Sequence, residues 1–297
     1  MLEHIPVMIK EVIKFLAPQK TENFVDATCG FGGHSRLILR NSSPNGKLLC
    51  IDQDTIAQEQ AKKNLENFYP RVSYANTNFN QLGLLKRDWK VKKIDGILFD
   101  LGVSTYQLTD KNRGFSFNLE SKLDMRMAPN SQRISAYEIV NSYSESSLKN
   151  ILKTYGEEPF AGKIAKLIVL RRKDKEIYST NDLVEIIKQT MPPSYRHSRE
   201  KHFATSTFRA LRMAVNNELE VLESGLKQAV QILSPGGRIV VITFHSLEDR
   251  IVKNFFRENT DLRILTPKPV TAENVEIEQN PKARSAKLRA AIKINNI

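Results

Sequence analysis

Three aspartates stand at the ends of apolar runs: Asp26 in FVDAT, Asp52 in CIDQD and Asp100 in LFDLG. A carboxylate at the end of a buried strand is costly unless something pairs with it, so three such ends point to one shared ligand. After the first run Gly30, Gly32 and Gly33 strip the backbone of side chains, which lets a main chain approach that ligand closely. Asp52 lies 22 residues after Gly30, near the interval at which an acid grips ribose hydroxyls in nucleotide-binding βαβ units. The dinucleotide fingerprint GxGxxG is not met, because position 35 is Ser, and there is no Walker lysine. A nucleoside without phosphate is therefore favoured over a phosphate cradle. S-adenosylmethionine satisfies these demands, with a ribose for Asp52, an adenine for an apolar wall, an amino acid end for the glycine turn, and a sulfonium that nearby acids tolerate. Phe79 is placed either to stack on adenine or to pack in the core. His34 is placed either to touch the methionine end or to serve as a polar loop residue, and Asp54 is an alternative to Asp52 or a helix N-terminal charge.

The elements that position these residues follow from periodicity. Ile9, Val12, Ile13 and Leu16 predict an amphipathic helix ended by Pro18. FVDAT, KLLCIDQD, VSYANTNF and KIDGILFDLG read as buried strands, with helices over HSRLILR and residues 55–67 between them. That alternation predicts an α/β fold with a doubly wound parallel sheet. Regularity stops near Ser104, and residues 106–207 read as an inserted helical, substrate-side domain, with a helix from Asp182 to Gln189. Phe208, Leu211, Val215, Leu219, Leu222, Leu226, Ala229 and Leu233 then predict one long helix that SPGG stops. GRIVVITF supplies a further strand and LEDRIVKNFFREN a helix, with Ser246 to Asp249 at capping-box spacing. Residues 284–294 alternate as a closing strand with a basic outer face, suited either to blunting a sheet edge or to touching RNA. The sheet domain is expected over 1–105 and 208–297.

A formal charge of +12 and a pI near 9.6 suggest a polyanionic partner. The charge is clustered: residues 86–93 carry five basic residues against one acid, and 279–297 carry five against none, which favours nucleic acid. Arg113, Arg126, Arg209, Arg212, Arg284 and Arg289 are candidates for RNA phosphates or for salt bridges. Cys29 and Cys50 form no CxxC pair, so no metal is expected and both read as small apolar residues of a reducing compartment. No run is long enough to span a bilayer and no secretory signal opens the chain, so a cytoplasmic protein with no membrane partner is expected.

HIPVM, DATCGFGGHS, IDQD, KIDGILFDLGVS, RGFSF with LDMRM, KTYGEEPFA, FRALRMAVNNEL, SPGGRIVVITFHSLEDRIVK and NPKARSAKLRAA together resemble the small-subunit ribosomal RNA cytosine-N(4) methyltransferases of the MraW (RsmH) type, nearly end to end. The resemblance implies a class I methyltransferase (Rossmann-like) sheet interrupted by a helical domain. It implies S-adenosyl-L-methionine as methyl donor and, as target, the decoding-centre cytosine 1402 of 16S rRNA in the small ribosomal subunit. It carries cofactor contacts to Gly32, Gly33, His34, Asp52, Phe79, Asp100 and Gln107, the last on the resemblance alone. The chain departs from the usual pattern at Thr105-Tyr106, Phe203 and Ser206. Cytosine's amine is a poor nucleophile, so an acceptor at the end of the fourth strand must draw on one N–H. The Asp100 carboxylate is the expected catalytic group, with the Leu101 or Gly102 carbonyl as alternatives, and Tyr106, Phe115, Phe117 or Phe244 are candidates to stack the base. His245 ends the fifth strand, where a substrate role is open. An N-methyltransferase of another nucleic acid, a cytosine-5 methyltransferase, a nicotinamide enzyme and a non-catalytic RNA-binding protein are the competing readings. Neither cysteine lies where a cytosine-5 nucleophile belongs, and Ser35 replaces the third glycine that a nicotinamide enzyme wants.

Overall fold

The computed structural model describes residues 5–197 and 202–295, and the chain divides into two compact units, Met1–Gly102 with Leu219–Ile297, and Val103–Glu218. The first unit opens with α1 (Ile9–Leu16), β1 (Phe24–Asp26), α2 (Gly33–Asn41), β2 (Leu48–Ile51), α3 (Thr55–Asn64), β3 (Val72–Ala75), α4 (Leu82–Asp88) and β4 (Gly96–Asp100). The second is helical: α5 (Thr105–Thr109), α6 (Ala136–Ser142), α7 (Glu145–Thr154), α8 (Ala161–Arg171), α9 (Thr180–Thr190), α10 (Pro193–His197) and α11 (Thr205–Asn216). Then follow α12 (Glu218–Ile232), β5 (Arg238–Thr243), α13 (Ser246–Glu258), β6 (Leu262–Ile264), β7 (Val270–Thr271), α14 (Asn274–Gln279) and β8 (Lys287–Lys293).

The strands lie in the order β3-β2-β1-β4-β5-β8-β6, with β7 also paired to β8. β1 to β5 run parallel, and β8 runs antiparallel to β5. This is the doubly wound, Rossmann-like sheet expected of a class I methyltransferase. The central strands are apolar at nearly every position because helices cover both faces. On one face Phe24, Leu48, Cys50, Leu98 and Val240 pack with Val12, Leu16 and Ile38, and on the other Val25, Leu49, Ile97 and Val241 pack with Leu222, Leu226 and Val252. The helical unit has its own core, where Leu123, Ile139, Leu148, Ile164 and Leu183 meet Phe208 and Leu211. Ser135, Ser144 and Ser179 cap its helices through side-chain oxygens.

Three expectations need correction. The single long helix after Phe208 is two helices: Asn217 turns left-handed at φ 48°, and its N–H caps α11 at the Met213 carbonyl. Phe208, Leu211 and Val215 belong to the helical core, whereas Leu222, Leu226 and Ala229 face the sheet. The division accordingly falls at 102/103 and 218/219, not at 105/106 and 207/208, because the stripe that reads as continuous serves two different cores. The closing strand presents neither a sheet edge nor a basic outer face, since β8 lies between β5 and β6. Arg289 is 6% exposed and gives Asp249 two hydrogen bonds, of 2.6 and 3.2 Å. Lys293 Nζ donates to the Val230 and Leu233 carbonyls at 2.6 and 2.8 Å, closing the carboxyl end of α12.

Candidate active site

The register of the sheet explains why the three acids converge. Asp26 on β1 lies beside Cys50 on β2 and Leu98 on β4. Asp52 and Asp100 stand two residues beyond those partners, on the same face of the pleat, so the acids form a row along the carboxyl rim at the point where strand order reverses. Asp26 is fully enclosed: it accepts the Ser35 hydroxyl at 2.6 Å and the Thr28 N–H at 3.3 Å, and burial raises its pKa. Asp52 accepts the Gly30 N–H on one oxygen and the Asp54 N–H on the other, each at 2.8 Å. Burial nevertheless raises its pKa to about 6, because two neutral donors do not replace the water it has lost.

Asp100 is held by its backbone. Its N–H donates to Thr28 Oγ1 at 2.6 Å, while its Oδ1 is buried and accepts no hydrogen bond. Burial raises its pKa to about 7, with the Lys282 charge opposing and the Glu248 charge adding to that rise. His34 faces it, with Nδ1 3.6 Å from Asp100 Oδ2 and Nε2 2.8 Å from the Val7 carbonyl. The carbonyl requires the proton on Nε2, so a bare Nδ1 lone pair points at the carboxylate, and burial keeps the ring from charging.

The glycines divide their labour. At Gly30, φ is +53° and an added Cβ meets nothing within 4 Å. At Gly33 the same atom would stand 2.3 Å from Pro6 Cγ, so this close approach admits the chain's own opening segment. That segment is strapped down: Met8 N–H donates to Glu276 Oε1 at 2.6 Å, and Asn280 Nδ2 donates to the Ile5 carbonyl at 3.0 Å. Gly33→Ala is therefore expected to cost about 1–3 kcal/mol by overpacking, read in urea melts, because the strap and the Val7 partner of His34 must shift. A melt indistinguishable from the parent would show the strap to be loose.

Phe79 sits half-buried, its ring edge-on to Phe99 at 5.3 Å and against Gly225 of α12, where a Cβ would come within 2.5 Å. Its loop is tied to the residue after Asp52 by Asn78 Nδ2 donating to Gln53 Oε1 at 3.0 Å. Gly32, Gly33, His34, Asp52, Phe79 and Asp100 thus belong to the sheet unit. Gln107 belongs to the helical unit, where it completes a capping box: its N–H donates to Ser104 Oγ at 3.2 Å and its Oε1 accepts the Ser104 N–H at 3.0 Å.

Several other candidates have structural work. Asp54 caps α3 by accepting the Ile56 N–H at 3.1 Å. The capping of α13 falls one residue earlier than the spacing of Ser246 and Asp249 predicts: His245 Nδ1 accepts the Glu248 N–H at 3.4 Å and Glu248 Oε2 accepts the Phe244 N–H at 2.8 Å, leaving Asp249 to Arg289. Arg113 donates to the Arg126 and Met127 carbonyls, Arg126 grips Asp124, Arg209 reaches the Gly156 carbonyl, and Arg212 grips Glu218. Of the six arginines only Arg284 is exposed. Among the aromatics, Phe115 is core, Tyr106 OH donates to Asp110, Phe117 stacks on His202 at 4.5 Å, and Phe244 lies against Gly102. The sequence reading missed Thr28, Ser35 and the Pro6-Val7 strap. The strap shows itself only where Pro6 meets Gly33, and Thr28 and Ser35 only through their bonds to Asp100 and Asp26.

The model of the MraW methylase family matches residues 1–294. "Ribosomal RNA small subunit methyltransferase H" of Sulfurihydrogenibium sp. (strain YO3AOP1) is 49% identical over 297 residues, 99% of this chain and 100% of that protein. The proteins of that name from Persephonella marina and Thermotoga neapolitana are 46% and 47% identical, covering 99% and 97% of this chain and 100% and 95% of their own lengths. A family match along almost the whole length, with relatives 46–49% identical from end to end, leaves one conclusion: the chain belongs to the MraW methylase family.

Proposed function

We propose that the protein transfers a methyl group from S-adenosylmethionine to the exocyclic N(4) amine of a cytosine in small-subunit ribosomal RNA, position 1402 of 16S rRNA in the usual count, and that it does so in the cytoplasm. The relatives' names support the RNA class; the cytosine and its amine rest on the resemblance and on Asp100. The residues fit the donor. Asp100 Oδ1 is a buried acceptor without a hydrogen bond, Gly30 has open space beside it, and each Asp52 oxygen keeps a second lone pair for a ribose hydroxyl. The observation that carries the reading is the Asp100 carboxylate, half-buried and backbone-fixed, with its buried Oδ1 under-satisfied.

The bound donor supplies an electrophilic methyl and a sulfonium charge. Asp52 holds the ribose end. Asp26 braces the glycine turn through Ser35. Asp100 accepts one N–H of the target amine, which localises the nitrogen lone pair, and takes that proton as the nitrogen is methylated; Thr28 fixes where the carboxylate stands. The Lys282 charge opposes burial and so favours the ionised carboxylate the step needs. To the helical unit we assign the substrate side. The test is incubation with labelled S-adenosylmethionine and small subunits lacking the modification, followed by mapping of the labelled base. Label on the cytosine amine is expected. Label on another nucleic acid, or none, overturns the reading.

A further inference from the structure

The basic run at residues 86–93 takes no part in the site above, because it covers the last turn of α4 and the segment leading to β4, at the amino edge of the sheet, whereas the acids line the carboxyl rim. Its backbone is pinned. Trp89 is buried in the core between sheet and helices, Lys86 Nζ donates to the Val91 carbonyl at 2.5 Å, and Val91 N–H returns to the Trp89 carbonyl at 2.7 Å. Arg87, Lys90, Lys92 and Lys93 are left exposed, with Asp88 the one acid in the run.

Asn23, immediately before β1, extends this surface sideways. Its Nδ2 donates to the Lys93 carbonyl at 3.2 Å and its Oδ1 accepts the Lys47 N–H at 3.1 Å. One side chain thereby sets Lys93, before β4, and Lys47, before β2, on either side of the central strand, each about 4.8 Å from it by strand spacing. Lys47 is exposed, as is Lys20 in the turn before β1. Besides Asp88, the nearby acids are Asp95, which accepts the Asn23 N–H, and Glu22, which accepts the Gln19 N–H, so the basic residues outnumber the acids by six to three.

We propose that this amino edge, Arg87, Lys90, Lys92 and Lys93 with Lys47 and Lys20 beside them, is a second docking surface for RNA phosphates, separate from the donor site on the carboxyl rim. Cations on a fixed backbone are presented to a polyanion without the ordering cost of a mobile tail, and each phosphate neutralised releases counterions. The opposite rim, with Asp26, Asp52 and Asp100, is given over to the donor and the target base. The edge therefore anchors a part of a folded RNA other than the strand that delivers the target base.

The inference rests on RNA being the substrate, and the experiment keeps the two apart. Binding of unmodified small subunits is measured without donor across a salt series, for the parent and for the quadruple variant Arg87→Gln, Lys90→Gln, Lys92→Gln, Lys93→Gln. The variant is expected to bind about tenfold more weakly near 0.1 M salt, with a log K against log salt slope shallower by about 2 to 3. Its single-turnover methyl transfer at saturating subunit should be unchanged. A control removes equal charge from exposed Lys227, Lys253, Arg257 and Lys268. An unchanged slope in the quadruple variant, an equal fall in the control, or no binding by the parent overturns the inference. Absence of methyl transfer by a parent that does bind overturns only the function proposed above.

Discussion

Asp100→Asn is expected to lower single-turnover methyl transfer about a hundredfold to ten-thousandfold, the range of one positioned proton acceptor, while donor affinity changes far less. Asparagine keeps the shape but offers a neutral amide to the target N–H. The same carboxylate sets a pH dependence. With its pKa pushed to about 7, Asp100 is neutral on the acid side, so the parent's rate should climb as pH rises through that value. Binding of the cationic donor should move the climb to lower pH. Stability runs the other way. A carboxyl whose folded pKa exceeds its unfolded value of about 3.9 stabilises the fold below that lower value and loses the contribution as pH rises through about 7. Without donor, Asp100→Asn should therefore gain on the parent between about pH 4 and 7, by on the order of 2 kcal/mol in urea melts. A flat pH–rate profile with an active Asn variant would remove Asp100 from the reaction.

Asp52→Asn is expected to raise the donor Kd on the order of a hundredfold by calorimetry, since hydrogen bonds to a charged acceptor contribute roughly 1.5–3 kcal/mol each. Turnover at saturating donor should stay within a few-fold of the parent, because the proposed role of Asp52 is to hold the ribose and not the reacting atoms. Asparagine leaves an acceptor for one of the two backbone N–H groups, from Gly30 and Asp54, that the carboxylate now receives. A urea melt of the donor-free variant, set beside its Kd, separates the lost ligand contact from any loosening of the turn. A Kd within twofold of the parent would remove Asp52 from donor binding.

Patterns that repeat along the chain were legible; those closed by distant partners were not. β1, β2, β4 and β5 are short apolar runs ending in punctuation, and an aspartate at or just past the end of each of β1, β2 and β4 makes the rim legible. The stripe from Phe208 to Leu233 reads as one helix because Val215, Leu219 and Leu222 keep helical spacing across Asn217, and a single left-handed residue leaves that spacing intact. β8 reads as a basic edge because Arg289 and Lys293 carry charge. Their neutralising partners, Asp249 and the last carbonyls of α12, are brought to them only by the fold. The same blindness covers the arginines at 113, 126, 209 and 212, each held by a local carbonyl or carboxylate. Gly33 shows it from the other side: a missing side chain announces that something comes close, but not that the visitor is Pro6.

The insertion between β4 and β5 also orders events during synthesis. The helical unit is one uninterrupted stretch, whereas β4 ends at Asp100 and its parallel neighbour begins only at Arg238. As the chain emerges, α5 to α11 can collapse on their own core while β4, apolar up to Asp100, still shows an open flank. Such a flank is a template for pairing with other nascent chains. The demand on chaperones is therefore greatest after the helices have formed and before β5 arrives.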